Sequence, residues 1–342
     1  MELREYIPLR EYSTFKTGGN ARFFISATSV DILKEAIAFA NTNKLPWIVL
    51  SGGSNVLFDD NGFDGLVIHI HIKGIQLTSG ERDVSTLCVG AGESWDDIVA
   101  YAVKNNLWGL ENLSGIPGYV GASLVQNIGA YGAEVKDVFV SAQVLDTTLH
   151  DVRTVTIHDA DFAYRHSMFQ DNEHLIITQV TFALTTKGQP QLSYKDLAQS
   201  TLTAESSVHE VRDVVLAIRN QKFPSLDTHG TAGSFFKNPH ITHAAYARLK
   251  ERYPLIPGYI EGDLVKVPLA WILDNVLHLK GYTHGHASLY ERQPLVMVAT
   301  RGATTQEILA LADEVIKKVF AATAINVVPE VTIITTTHKK KF

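Results

Sequence analysis

Within Ala232-Gly-Ser-Phe-Phe-Lys-Asn-Pro239 a hydroxyl (Ser234), an ammonium (Lys237) and an amide (Asn238) fall inside five residues. Gly233 permits positive φ or close backbone approach just before the serine, and Pro239 bars helix just after Asn238. Phe235 and Phe236 would anchor the turn in a core. Such a segment either displays a serine against something or is a well-packed turn. Two more groups stand in unusual contexts: Arg165 in Phe162-Ala-Tyr-Arg-His-Ser167, and Glu330 inside the apolar run 327–334. A buried carboxylate is costly unless paired, so Glu330 is a functional group or a salt-bridge partner. A serine is a poor base, but it can donate a proton if Lys237 or Lys222 stabilises the alkoxide left behind. An arginine and a protonated or hydrogen-bonding glutamate can stabilise a developing enolate. Together these groups suit conjugate addition to a C=C bond bearing a carboxylate, with hydride from a cofactor.

Glycine-dense stretches could hold such a cofactor. Ser51-Gly-Gly-Ser-Asn55 follows a strand signal at 47–50; its N–H groups could converge on an anion, with Ser54 and Asn55 adding donors, or it is a plain turn. Gly115-Ile-Pro-Gly-Tyr-Val-Gly121 and Gln126-Asn-Ile-Gly-Ala-Tyr-Gly132 carry apolar side chains between their glycines, unlike a linker. They suggest backbone pressed against a large flat ligand.

The bulk numbers exclude other classes. In 342 residues, 45% are apolar and 19% charged, which fits folded domains, about two to three of them. The net charge is −6, and the only basic block, Lys339-Lys340-Lys341, reads as a frayed, solvated tail, so no nucleic-acid partner is expected. The single cysteine, Cys88, excludes intramolecular disulfides and thiolate zinc sites and is expected to be buried. Met-Glu-Leu-Arg-Glu at the start holds no apolar signal core and no run approaches membrane-spanning length, so a soluble, cytoplasmic chain is expected. There is no G-x-x-x-x-G-K-[ST], G-x-S-x-G or strand-borne G-x-G-x-x-G. His284-Gly-His286 and His69-x-His71 lack carboxylate or cysteine neighbours in sequence, so no metal is expected.

The elements that must position these groups alternate at first. Thr28-x-x-Asp31 reads as a capping box before Ile32, Leu33, Ala36, Ile37 and Ala40 on one helical face. Strands at 47–50 and 65–72 complete a βαβ unit. Ser94-x-x-Asp97 caps a second helix; strands follow at 139–145 and 174–182. Ser207-x-x-Glu210 opens a helix that delivers Arg219 and Lys222 at its basic end, where both could equally be surface charges. Pro268 marks a helix start, 296–299 a strand, 305–320 an amphipathic helix, and 327–334 a final strand that Pro329 demotes to an edge or bulge.

Read in order, Gly52-Gly-Ser-Asn-Val-Leu57, Gly90-Ala-Gly92, Gly115-Ile-Pro-Gly-x-Val-Gly121, Gln126-Asn-Ile-Gly-Ala-Tyr-Gly132, Tyr164-Arg165-x-Ser167, Gly233-Ser-Phe-Phe-Lys-Asn-Pro239 and Pro329-Glu330 resemble the signatures of the UDP-N-acetylenolpyruvoylglucosamine reductases. These are the MurB flavoenzymes of peptidoglycan synthesis, and the likeness runs from about Ser13 to about Val331. It implies an α/β and α+β fold: a vanillyl-alcohol-oxidase-like (PCMH-like) FAD-binding core in two subdomains, 1–73 and 74–222, plus a third, α+β substrate-binding domain, 223–324, with the strand 325–342 returning to the first.

The resemblance further implies non-covalent FAD, with Gly52, Gly53, Ser54 and Asn55 at its pyrophosphate. Gly118, Gly121, Ala122, Ser123, Asn127, Gly129 and Gly132 would line its ring system. NADPH would be the hydride source and UDP-N-acetylglucosamine enolpyruvate the acceptor, reduced at its terminal vinyl carbon. Ser234 would protonate the adjacent carbon, with Arg165 and Glu330 stabilising the enolate; Tyr194, Lys222, Asn238 and Gln293 would contact the sugar nucleotide. The chain resembles the longer form of the family, in which Tyr259 would close over the diphosphate. Thr283-His-Gly-His286 departs from the Gly-Gly-Ala-like turn of relatives. A monomer without membrane or nucleic-acid partners is expected. The rivals are an FAD-linked alcohol oxidase or dehydrogenase, which gives Ser234 no role and usually needs a covalent flavin, and a non-catalytic flavin or sugar-nucleotide binder.

Overall fold

The structure is a computed structural model and describes residues 1–340. It divides into two compact units, one of residues 1–5, 23–52 and 65–220, the other of residues 6–22, 53–64 and 221 onward.

In the first unit Trp47–Leu50 runs parallel to Phe63–Ile70, with Leu50 opposite His69, in a four-stranded sheet ordered Arg4–Pro8, Asn20–Ala27, Phe63–Ile70, Trp47–Leu50. The helix Val30–Thr42 buries Leu33, Ala36, Ile37 and Ala40, the face its periodicity predicts. Its N-cap is Ser29, whose side chain accepts from the Ile32 N–H, and not Thr28 as expected. Thr28 is used up in leaving the strand Asn20–Ala27, so the cap falls one residue later.

The rest of this unit is a five-stranded antiparallel sheet ordered Asp151–Thr156, Phe139–Asp146, Leu175–Thr185, Val84–Gly90, Ile75–Ser79. Cys88 is half-buried here, not core: alternation turns Leu87 and Val89 inward and Cys88 to the other face, where the Thr181 hydroxyl donates to its sulfur. The helix Trp95–Lys104 begins after Ser94, which makes no side-chain cap bond, contrary to the expected box. Trp95 is fixed instead by its ring N–H donating to the Leu113 carbonyl at 3.0 Å and by an edge contact with Phe182. The box before Val208–Lys222 does form: the Ser207 N–H donates to the Glu210 carboxylate at 2.7 Å and the Glu210 N–H returns to Ser207 Oγ.

The second unit has its own core, in which Phe15, Leu57, Phe235, Phe236 and Val331 pack with Ile308, Leu311, Val315 and Val319 of the helix Thr305–Thr323. That helix starts with a reciprocal Thr304–Glu307 box. It is tied down where the Thr305 N–H donates to Asp60 Oδ1 at 2.8 Å and the Thr305 hydroxyl to the Phe58 carbonyl. Pro268 stands one residue before the helical turn Leu269–Trp271, which continues as a wider π-turn through Ile272–Val276.

The final strand is shorter than its sequence suggests. Only Thr332–Ile334 is a strand, parallel to Val56–Phe58, whereas Pro329, lacking an N–H, makes a single bridge to Phe236. Glu330 therefore precedes the strand and is half-buried rather than sunk in it. Lys339–Lys340 pairs with Ile333 and Ile334 instead of fraying; Lys341 lies outside the described residues. His284 and His286, which have no acidic neighbours in sequence, meet Glu314 and Glu307 at 2.9 and 3.1 Å from the helix Thr305–Thr323. Among the described residues no helix is long and apolar enough to cross a membrane.

Burial lowers the His69 imidazole to about 4, helped by the charges of His71, Arg4 and Lys73. Its ring is 7% exposed and packs near Phe24 and Tyr119. An unfolded chain binds this proton from about pH 6.5 downward, so the contribution is complete above that pH and fades as pH falls toward 4. His69→Phe should flatten the acid side of the stability curve by up to about 1.4 kcal/mol per pH unit in that window. Urea titrations at several pH values would test it, and parallel slopes for the two proteins would refute it.

Candidate active site

In the second unit the serine segment is held from both sides by main chain. Ser234 bridges Val296, and the Phe235 N–H donates to the Leu295 carbonyl at 2.9 Å. On the other side the Glu330 N–H donates to the Phe235 carbonyl at 2.7 Å and the Lys237 N–H to the Val328 carbonyl at 3.1 Å. Phe235 and Phe236 are both fully buried, so strict strand alternation is broken here. Ser234 and Lys237 stay half-buried at either end of the pair. Gly233 has φ +76°, a conformation that disfavours a β-carbon, and its N–H donates to the Thr231 hydroxyl, which itself donates to the Met297 carbonyl.

The Asn55 amide joins this group by donating to the Glu330 carbonyl at 3.2 Å, while the Asn55 carbonyl accepts from the Thr332 N–H. Ser234, Lys237, Glu330 and Asn55 are thus brought together across nearly the whole sequence. Asn238 follows with Oδ1 accepting from the Leu269 N–H, so only its Nδ2 remains to donate elsewhere. Gln293 spends Oε1 on the Leu295 N–H. Lys222 closes the helix Val208–Lys222, and Tyr259, 59% exposed, sits in the strand Tyr259–Glu261 against Leu264–Lys266. No ladder bond joins Tyr259 to the serine segment. Gly53, with φ +63° and no room for a β-carbon beside the Tyr12 carbonyl, accepts from the Thr14 N–H; Ser54 is half-buried.

In the first unit the arginine is just as constrained. Ala163 and His166 exchange backbone hydrogen bonds across a tight turn, and Arg165 lies inside it at φ +53°. The fully buried Asn127, itself at φ +43°, pins this turn by donating to the Ala163 carbonyl and to Glu134. Ser167 pins the far side through the Val125 carbonyl. The Arg165 guanidinium then donates to the Gly129 carbonyl at 3.0 Å. Left-handed φ in non-glycine residues costs roughly 1–2 kcal/mol each and persists where surrounding bonds impose it. Asn127, Tyr131 and Arg165 all show it, and no sequence rule flags those three positions.

Sequence reading also missed what Arg219 does. It is half-buried rather than a surface charge, and donates to the Tyr131 phenol, while its side chain packs on Gly115. Burial pushes Tyr131 up to about 12 against the pull of Arg219. Asp96 supplies the nearby negative charge: two bonds from Arg212 at 2.7 and 2.9 Å and one from the Gly115 N–H at 2.6 Å. Burial works to raise that carboxyl, but these donors and the Arg212 and Arg219 charges hold it below its ordinary range. Tyr131 meets Tyr194 edge-on at 5.4 Å, so Tyr194, Tyr131, Gly129 and Arg165 form one neighbourhood. Gly132, at φ +87°, is exposed beside Tyr194.

The glycines expected to take a bulky cofactor are used for close approach. A β-carbon on Gly52 would lie 2.7 Å from Gly118 Cα, and one on Gly121 would lie 2.8 Å from the Ala91 side chain. At Gly52 backbone thus meets backbone, whereas the Gly121 N–H is already spent on the Ala91 carbonyl; the bare Gly52–Gly118 approach fits the surface a flavin with its pyrophosphate needs. Ala122 and Ser123 lie in the short helix Val120–Val125, where Ser123 spends its hydroxyl on the Val120 carbonyl.

Residues 21–150 match the FAD binding domain family, and residues 224–334 match the C-terminal domain of UDP-N-acetylenolpyruvoylglucosamine reductase. The chain is therefore a two-part flavoprotein. It is 37% identical to the UDP-N-acetylenolpyruvoylglucosamine reductase of Flavobacterium johnsoniae, covering 98% of this chain and 100% of the relative. With that of Neisseria gonorrhoeae the identity is 39%, covering 93% and 94%. The chain belongs to the UDP-N-acetylenolpyruvoylglucosamine reductase (MurB) family. The crystal structure of the reductase from Thermus caldophilus shares the fold at a TM-score of 0.71 and 22% identity, covering 97% of this chain and 100% of that one.

Since nothing lies within 4 Å of a β-carbon placed on Gly233, Gly233→Ala meets only the backbone penalty of positive φ. A loss of about 1–2 kcal/mol is expected. Chemical denaturation would measure it, and an unchanged midpoint would show that the turn relaxes.

Proposed function

We propose that this protein reduces UDP-N-acetylglucosamine enolpyruvate to UDP-N-acetylmuramate in peptidoglycan precursor synthesis. When bound, FAD would supply hydride chemistry for the terminal vinyl carbon, with NADPH as the reductant. The residues do the rest. Arg165, held by the Gly129 carbonyl, is assigned to the substrate carboxylate, where negative charge grows as the enolate develops. Glu330 is assigned to the same developing enolate as a second stabilising group. Ser234 gives its hydroxyl proton to the adjacent carbon, and Lys237 or Lys222 steadies the alkoxide until solvent returns the proton. Gly52, Gly53, Ser54, Asn55 and the loops from Gly118 to Gly132 would hold the FAD. Tyr194, Lys222, Asn238, Tyr259 and Gln293 are assigned to the sugar nucleotide.

The observation that carries this reading is the two-sided main-chain clamp on 234–237, which fixes Ser234 and Glu330 on neighbouring chains. A flavin-linked alcohol oxidase would have no use for it. We assign the chain to the cytoplasm as a monomer. Its parts follow as an FAD-binding pair, 1–73 and 74–222, and a substrate-binding domain at 223–324.

Anaerobic mixing tests the reading: NADPH should bleach the flavin band, and the enolpyruvyl sugar nucleotide should restore it with formation of the lactyl product. Colour that never returns would remove the substrate assignment. Ser234→Ala should leave bleaching by NADPH intact and slow recovery by about 10²–10⁴-fold; equal loss of both half-reactions would remove the proton-donor role. Gly129→Ala would place a β-carbon 3.2 Å from Arg165 Nη1. It should slow the same half-reaction, by roughly tenfold or more, because a displaced guanidinium no longer meets the charge. Full-rate recovery in that variant would separate Arg165 from the chemistry.

A further inference from the structure

Tyr194 stands at the end of a stretch, 186–194, that carries neither helix nor strand, yet its ring meets Tyr131 edge-on at 5.4 Å. Apolar packing beneath fixes its depth: Leu197 is fully buried with Tyr131, Val211 and Val215, and Leu192 packs against them. Such packing is non-directional and leaves the lateral position of the stretch open. Hydrogen bonds from two amides close it. Asn112, 1% exposed in the turn Glu111–Leu113, donates from Nδ2 to the Tyr131 carbonyl at 2.9 Å and to the Gln191 carbonyl at 3.1 Å. Gln191 returns the tie, its Nε2 donating to the Gly132 carbonyl at 3.0 Å. Residues 131–132 are thus laced to the stretch before Tyr194 by these bonds, and the Tyr131 phenol is itself held by Arg219.

Packing alone does not account for an amide at 112. Its nitrogen serves two carbonyls, which fixes the amide's orientation, while Oδ1 is buried and accepts no hydrogen bond among the described residues. An unpaired buried acceptor is destabilising, and a leucine of similar shape would avoid it. The turn that bears Asn112 is itself tied: the Glu111 carboxyl group accepts from the Gly109 N–H at 2.7 Å, and the Ser114 hydroxyl donates to the Glu111 carbonyl at 2.6 Å. What the two donors of Asn112 secure is the stretch leading to Tyr194, whose ring is 43% exposed. Resting on the functional reading above, which assigns Tyr194 to the sugar nucleotide, we propose that Asn112 and Gln191 are positioning residues for substrate binding. They hold the stretch bearing Tyr194 against Tyr131 and Gly132, so that the exposed ring is presented to the sugar nucleotide in one place. Holding the ring in advance removes an ordering cost from binding, so the contribution falls on affinity rather than on the chemical step.

The test uses the FAD-loaded protein and separates affinity from chemistry. Oxidised enzyme would be titrated with UDP-N-acetylglucosamine enolpyruvate by flavin absorbance, and KM and kcat measured, for wild type, Asn112→Leu, Gln191→Ala and Tyr194→Ala, alone and combined. Gln191→Ala should raise the Kd and KM for the sugar nucleotide about 3–10-fold and Asn112→Leu about 10–100-fold. In both, kcat should stay within about twofold of wild type and bleaching by NADPH should run at full rate. In the Tyr194→Ala background both substitutions should add little, because the ring they hold is gone. Gln191 is exposed, so its variant keeps the test decisive where Asn112→Leu fails to fold. Wild-type affinity in Gln191→Ala, and in Asn112→Leu where it folds, would overturn the proposal, as would losses that add fully to that of Tyr194→Ala. Slowed bleaching or weakened FAD at unchanged sugar-nucleotide affinity would overturn it too, by giving the lacing to the flavin loops. Wild-type enzyme that binds FAD but not the sugar nucleotide would sink the functional reading itself, an outcome distinct from failure of the two amides.

Discussion

The 2.7 Å hydrogen bond from the Glu330 N–H to the Phe235 carbonyl is the constraint on which the placement of Ser234 and Glu330 in the second unit depends. Phe235 bonds through its N–H to Leu295 on one side and through its carbonyl to Glu330 on the other. Its peptide groups are therefore satisfied in both directions, as in a central strand, although the segment is too irregular to be one. The irregularity matters. Two consecutive buried phenylalanines consume both faces of the chain, so the polar residues flanking them emerge where a regular strand would have turned one of them inward. The core thereby sets the direction of Ser234, and the same bond sets the position of the Glu330 main chain.

A different device serves Arg165. The first unit has no strand passing through it at that point, and left-handed backbone at Asn127, Tyr131 and Arg165 is sustained by side-chain bonds instead. Asn127 is the crux: its one amide ties the glycine-rich segment to the turn bearing the arginine. Strain of this kind is tolerable where many bonds over-determine the conformation. In the role proposed for Arg165, a guanidinium free to swing would have to be ordered at each turnover, and the entropy of that ordering would oppose charge stabilisation.

Much of this was legible in the sequence because local rules suffice for it. The helix Val30–Thr42 and its buried face follow from periodicity, and the box at Ser207 from three residues. The ordered motifs carried the family. What local rules could not reach were partners distant in the chain. Asn55 and Glu330 are 275 positions apart, and nothing in either neighbourhood announces the other. Glu307 and Glu314 meet histidines some twenty to thirty residues away, so the absence of nearby acids in sequence misled. The shortened final strand was misread for a physical reason: apolar residues at 327 and 331 serve the core from a loop, and pattern alone cannot tell a buried loop from a strand.

Arg219 shows the limit most clearly. At the C-terminal end of a helix a cation is favoured by the dipole, and the sequence permits it to remain in solvent. The structure instead half-buries it beside Tyr131, with Asp96 bonded twice by Arg212. Burial lowers the Arg219 pKa from its ordinary value, yet an arginine keeps its proton, so this corner of the first unit gathers the Arg212 and Arg219 guanidinium groups with the carboxylates of Asp96 and Asp196. Partly buried charges are costly unless partners and polar neighbours spread them. The Tyr131 phenol, kept protonated because burial raises it, offers its oxygen lone pair to Arg219 without competing as an anion. A phenylalanine there would take this acceptor away from Arg219, which is a physical reason for a tyrosine at a position whose left-handed backbone would otherwise favour glycine or asparagine.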